Sequence, residues 1–274
     1  MTKSISIWRA RGVAIAAGLL FAATAVSRPA TIAAQDAAEG SARALAPVDL
    51  TGYWVSIVTE DWRFRMVTAP KGDTASLPLN QAGNEAADAW DPDRDEAEGN
   101  QCKAYGAAAI MRMPTRVQIT WEDDNTLKLE TDAGRQTRLL RFGESEPSGP
   151  PTLQGHSVAR WDVPAARGRG GRGGRGGGGR GGAGLGRGPA WASLKVETTN
   201  LSPGYLRKNG VPYSERTAVT DYFDRHSEDG GVEWFTVTTI VEDPVYLNQP
   251  FVTSSSFRRE PDASKWNPQD CTAQ

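Results

Sequence analysis

The sequence predicts an all-β fold, a single antiparallel meander of about ten strands closing into a barrel over residues 48–272. Three observations carry this. From Thr51 onward apolar and polar residues alternate with a period of two, turn residues separate the runs, and only one short passage has helical spacing. Closure is favoured because an open sheet of that many strands leaves two unpaired edges.

The first 34 residues stand apart from this pattern. Lys3, Arg9 and Arg11 precede an apolar run from Val13 to Val26, with small-residue sites around Ala25 and Ala34, which reads as a secretory signal peptide. The run is short of the roughly 20 residues that a membrane-spanning helix needs. A periplasmic or secreted protein without stable membrane insertion after cleavage is therefore expected, an uncleaved amino-terminal anchor being the alternative. No cysteine lies near either cleavage site, and Ala10 separates Arg9 from Arg11, so neither a lipoprotein nor a twin-arginine signal is spelled out.

The meander opens with Tyr53 to Val58 and Trp62 to Val67. In the second run Trp62, Phe64 and Met66 alternate with Arg63 and Arg65, giving one apolar and one cationic face. Gln81 to Trp90 reads as a short helix capped by Asn80, and Asp91 to Gln101 as a solvated acidic loop. Arg116 to Glu122, a turn at Asp123-Asp124-Asn125, and Leu127 with Leu129 make the clearest hairpin. Ala133-Gly134 turns the chain into Gln136 to Phe142, and Ser157 to Val163 follows.

Residues 167–188 then hold 14 of the chain's 30 glycines together with six arginines. Such a segment cannot build a core and is predicted to be a disordered Arg/Gly-rich loop at an expanded hairpin tip. Leu194 to Thr199 resumes the sheet. The connection Asn200 to Ser214 carries the turn pairs Pro203-Gly204 and Asn209-Gly210, with Tyr205, Arg207, Lys208 and Tyr213 around them. Thr217 to His226, Val232 to Val241 and Phe251 to Arg258 complete the strands.

Charge is divided unevenly. The chain is formally −2; residues 1–34 hold four cations and no acid, and residues 167–188 six arginines and no acid, so the remaining body is −12. An acidic body argues against nucleic acid and anionic membrane as partners. Cys102 and Cys271 are the only cysteines. In an oxidising compartment they are expected to pair, two buried thiols being the alternative, and no CxxC spacing points to redox work or zinc.

Candidate sites are few. The loop Asn200 to Ser214 at a barrel rim, with Tyr205, Arg207 and Tyr213, could close over a ligand, and Arg63, Arg65, Trp121 and Trp161 are further candidate ligand contacts. Pinning of the loop by its tyrosines is the alternative. Trp54, Trp62 and Trp234 could also line the lumen, although strand tryptophans are core residues first. Asp91, Asp93 and Asp95 have the opening spacing of a calcium loop, but Glu96 stands where glycine is needed and Cys102 where a bidentate glutamate is needed. No metal and no cofactor is expected. His156 and His226 end strands without HxH or HxxxH spacing, and Gly155-His156-Ser157 lacks the GxSxG pattern of a nucleophile turn.

Gly52-Tyr53-Trp54, Gln101-Cys102, Ile110-Met111-Arg112 with Pro114, Gly155-His156-Ser157 with Arg160-Trp161, Asp243-Pro244 and Gln249-Pro250-Phe251 together form a pattern. It resembles uncharacterised exported bacterial proteins of lipocalin-like β-barrel appearance, over about Val48 to Cys271. The resemblance implies a lipocalin-like barrel and carries no activity and no catalytic residue. Export, alternation and abundant tryptophan point to a barrel that binds an unknown small, partly apolar molecule in its lumen. Two other readings stay open: a lumenal hydrolase or isomerase using His156 or His226 with an aspartate, and an envelope protein contacting anionic polymers through residues 167–188.

Overall fold

The computed structural model describes residues 40–143, 146–163 and 192–273. The predicted signal segment and Arg/Gly tract lie outside the described residues. Eleven strands form: β1 (Gly52–Ile57), β2 (Arg116–Asp123), β3 (Thr126–Thr131), β4 (Thr137–Phe142), β5 (His156–Asp162), β6 (Ser193–Thr199), β7 (Gly204–Arg207), β8 (Val211–Tyr213), β9 (Ala218–Ser227), β10 (Glu233–Glu242) and β11 (Phe251–Glu260). Nine of them close a barrel in the order β1-β11-β10-β9-β6-β5-β4-β3-β2, while β7 and β8 make a separate hairpin.

The all-β barrel is therefore present, but it is mixed and not a single antiparallel meander. Strands β4 and β5 run parallel, with Leu140 opposite Ser157 and Phe142 opposite Ala159. Two like-directed neighbours cannot be joined by a tight turn, and here 13 residues separate the end of β4 from the start of β5. Strands β5 and β6 pair antiparallel from His156 opposite Thr199 to Asp162 opposite Ser193, on the two sides of the Arg/Gly tract.

The expected strand Trp62 to Val67 is instead a single helical turn, α1 (Trp62–Arg65). Its alternation is inverted: Trp62 and Met66 face solvent and Arg65 is buried. Arg65 Nε donates to the Arg112 carbonyl at 2.7 Å, a bond that holds the segment against the barrel as a turn and not as a ladder. A second helix, α2 (Gln81–Asp88), is capped by Asn80, whose Oδ1 accepts from Gly83 N at 2.9 Å. The acidic stretch expected to be a solvated loop holds α3 (Pro92–Ala97), with Asp91 as cap and proline in the first turn. Asp95 within it is buried and accepts from Trp90 Nε1, Lys103 Nζ and the Tyr205 hydroxyl at 3.1, 3.2 and 2.7 Å.

Side chains fill the barrel interior. Trp54, Phe223 and Phe257 pack around Phe235 with centroid separations of 5.0, 5.8 and 4.7 Å, edge-on, tilted and stacked respectively, within the main apolar cluster. A second cluster contains Val219, Val241, Phe251, Leu201 and the inner side of the β7–β8 hairpin. Between them lies a polar layer, because the inward positions change character along three strands: Val196 to Thr198, Phe223 to Asp221 and Val237 to Thr239. Arg138 Nη2 meets Asp221 Oδ2 at 2.9 Å and Thr198 Oγ1 at 3.2 Å, and Thr239 donates to Asp221 at 2.5 Å. Both ions are essentially inaccessible.

Two further anchors fix the end of the barrel beside the hairpin. Asp243 accepts from the backbone N–H groups of Ser214, Val245 and Tyr246 and from the hydroxyls of Ser214 and Thr217. Burial works to raise its pKa, but these donors prevail and hold it below the usual carboxylate range. Cys102 and Cys271 are joined in a disulfide that ties the C-terminal segment to the 3₁₀ turn Lys103–Tyr105.

Candidate functional site

Where β3 ends and β2 begins, a cavity of about 230 Å³ opens between four segments. Phe64 to Ala69, of and after α1, form one wall, and Leu206 to Asn209, at the β7–β8 turn, another. The 3₁₀ turn Ile110–Arg112 with Met113 and Pro114 forms the floor, and Tyr105 and Ala133 close the side. The third wall depends on the disulfide, since Thr272 N donates to Tyr105 Oη at 3.2 Å and Lys208 Nζ to Thr272 Oγ1 at 2.8 Å.

Three buried arginines give the cavity its character. Arg65, Arg112 and Arg207 are 8, 7 and 5 % exposed. Arg65 pairs with Glu60, and Arg112 Nη2 with Asp61 Oδ2 at 3.0 Å. Both carboxylates are close to half exposed. Arg207 has no carboxylate in contact among the described residues. Its Nη1 donates to the Ala75 carbonyl at 2.8 Å, its guanidinium lies 4.2 Å from the centre of the Phe64 ring, and its Nε and Nη2 are buried with no partner among the described residues. Burial, and after it the like charge of Arg112, push the Arg207 guanidinium down to about 10, against the weaker opposing pull of Asp61 and Asp73. Burial also lowers Arg65 and Arg112, against the opposing pull of Glu60 and Asp61.

The wall over these arginines is slight. Segment α1 is one turn long and begins at Asp61, a non-glycine residue at φ 50°, whose side chain makes no cap to the helix. Trp62 on α1 is an exposed apolar side chain, and so are Met66 and Val67, which follow it in the cavity wall. The turn beneath it is firmer: buried Asn209 donates to the carbonyls of Pro70 and Asp73, each at 3.0 Å. Gly210 is required there, because at φ +79° an added Cβ would lie 2.0 Å from the Trp90 ring.

Of the candidate contacts read from the sequence, Arg65 and Arg207 line this cavity together. Arg63 points outward and pairs with Asp73 at 2.9 Å. Trp121 and Trp161 flank Phe142, with centroids at 5.8 and 5.4 Å. Trp121 is five residues beyond Arg116 along β2, so they lie roughly 17 Å towards the opposite end. Tyr205 faces Asp95, and burial, then that carboxylate, raise its hydroxyl pKa. Tyr213 is buried under Gly106 and Gly204, where an added Cβ would come within 2.2 and 2.5 Å of its oxygen. These two tyrosines pin the hairpin, and Trp54 belongs to the core while Trp62 faces solvent. Arg112, Phe64, Lys208 and Asn209 complete the site. Arg112 had no signal as a contact, because it ends a run of small and apolar residues without period.

The two histidines do not converge. Ser157 and Thr198 are opposite one another, Thr198 is opposite Val219, and His226 is seven residues further along β9, roughly 23 Å away. His226 stacks on Trp234 at 6.5 Å, and Ser157 shares a 2.8 Å hydrogen bond with Thr198 in the polar layer. Neither histidine contacts an aspartate among the hydrogen bonds of the described residues. Among those residues no group of acids, histidines and cysteines is placed to hold a metal ion, and no helix is long and apolar enough to cross a membrane. Compared with known proteins, the chain matches no family, no curated protein and no solved structure.

Proposed function

We propose that the protein is an exported β-barrel that binds a small, partly apolar molecule, and that the molecule sits in the cavity beside α1 and not in the barrel lumen. The observation that carries this reading is the contrast between two spaces. The interior is occupied by packed aromatics and a polar layer closed to solvent, whereas the end cavity joins apolar walls to a few fixed polar groups. Recognition sites for small molecules have that composition. Export is supported by the basic, apolar and small-residue order of residues 1–34 and by the single disulfide.

Native mass spectrometry tests both halves. The full chain is expressed with its own first 34 residues in a Gram-negative host and recovered from the periplasm. The expected result is a mass lacking the leader, with a small adduct that disappears on denaturation and is absent from Ala69→Trp, where an indole fills the cavity. An uncleaved chain in the cytoplasm would overturn export. An adduct retained by Ala69→Trp would place the ligand elsewhere.

A further inference from the structure

Resting on the cavity reading above, we infer that its ligand is a monocarboxylate on an apolar body, held by Arg207. The ion pairs around the cavity single out Arg207. Glu60 is in contact with Arg65 and Asp61 with Arg112, and the Lys208 ammonium is directed to the Thr272 hydroxyl. Arg207 is left as a buried guanidinium without a carboxylate in contact among the described residues. A buried guanidinium with no carboxylate in contact is costly, and the Ala75 carbonyl, the Phe64 ring and the more distant Asp61 and Asp73 offset only part of that cost in the empty state. The cost is offset when an anion arrives.

The geometry also favours a planar carboxylate. Phe64 fixes the plane of the Arg207 guanidinium from one side and the Ala75 carbonyl occupies Nη1, which leaves the Nε and Nη2 edge without a partner among the described residues. Two parallel N–H groups on one edge match two carboxylate oxygens. That edge is closed to solvent, so binding requires α1 to shift and carry Phe64 with it. Exposed Trp62 lies on that segment and exposed Met66 and Val67 follow it, and Leu206, Met113 and Ala109 supply apolar surface for the body of the ligand.

Calorimetric titration of the full mature protein with 2-naphthoate, 2-naphthalenemethanol and 2-naphthyl phosphate tests this. The acid is expected to bind at least about tenfold more tightly than the neutral alcohol of the same body. Arg207→Met is expected to abolish that preference and, without ligand, to raise the melting temperature by removing the uncompensated charge. An arginine with a purely structural role would lower it. Equal binding of acid and alcohol would leave the cavity reading intact and overturn the anion assignment. Tighter binding of the phosphate than of the acid would overturn the carboxylate. Failure of all three to bind the wild-type protein would overturn both the inference and the reading beneath it. The wild-type comparison decides the matter even if Arg207→Met does not fold.

Discussion

Asp221→Ala is expected to destabilise the barrel by about 3–5 kcal/mol, the range for removing one partner of a buried ion pair. Asp221 accepts from Arg138 and Thr239 deep between two apolar clusters, and its removal strands a guanidinium that already has two nitrogens without partners among the described residues. Chemical denaturation of the wild type and the variant measures the loss. The compensating test is Arg138→Met with Asp221→Leu, which removes both charges and should recover most of the stability, since an apolar pair of similar volume often does as well as a buried ion pair. A small loss for Asp221→Ala would mean that water reaches the layer, and the interior would again be a candidate lumen. The double variant should leave ligand binding at the end cavity unchanged.

Replacing both cysteines, Cys102→Ser with Cys271→Ser, is expected to cost about 2–5 kcal/mol. The bridge closes a separation of 169 residues, a long loop for which the chain-entropy account gives a stabilisation near the top of that range. The effect should not be confined to stability. The disulfide holds Thr272 against Tyr105 and Lys208, which form one wall of the cavity. Naphthoate affinity should therefore fall in the reduced or doubly substituted protein even where the barrel remains folded, as judged by unchanged far-ultraviolet circular dichroism. Unchanged affinity in a folded variant would remove the tail from the site.

Most of the barrel was legible because its strands bury one face, and alternation such as Val117, Ile119 against Gln118, Thr120 records that burial directly. The segment Trp62 to Val67 shows the limit of the same signal. Its period of two is genuine, but the tryptophan and methionine meet solvent while an arginine is buried, an exchange explained by the Arg112 carbonyl and the Glu60 carboxylate that receive it. The parallel pairing of β4 with β5 was not legible, because alternation gives a strand's faces and not its neighbour. The helix α3 does carry a signal, Asp91 as cap followed by Pro92 in the first turn, which its acidic composition masks.

The site was half visible for a related reason. Arg65 and Arg207 stand among aromatic residues in the sequence, but nothing in a sequence separates a buried arginine from a solvated one. Arg112 shows this most clearly, since it is as buried as the other two and sits among alanines, isoleucine and methionine. Trp121 and Trp161 were attractive for the opposite reason, being large and in strands, yet they pack on Phe142 at the far end.

The central claim is that the ligand is held between α1 and the β7–β8 turn. Hydrogen–deuterium exchange of the full mature protein, with and without saturating 2-naphthoate, tests it most directly. Protection confined to residues 60–69 and 206–210 is the predicted result. Protection in the middle of β9, β10 and β11, or around Trp121 and Trp161, would contradict it and return the ligand to the barrel interior or its opposite end.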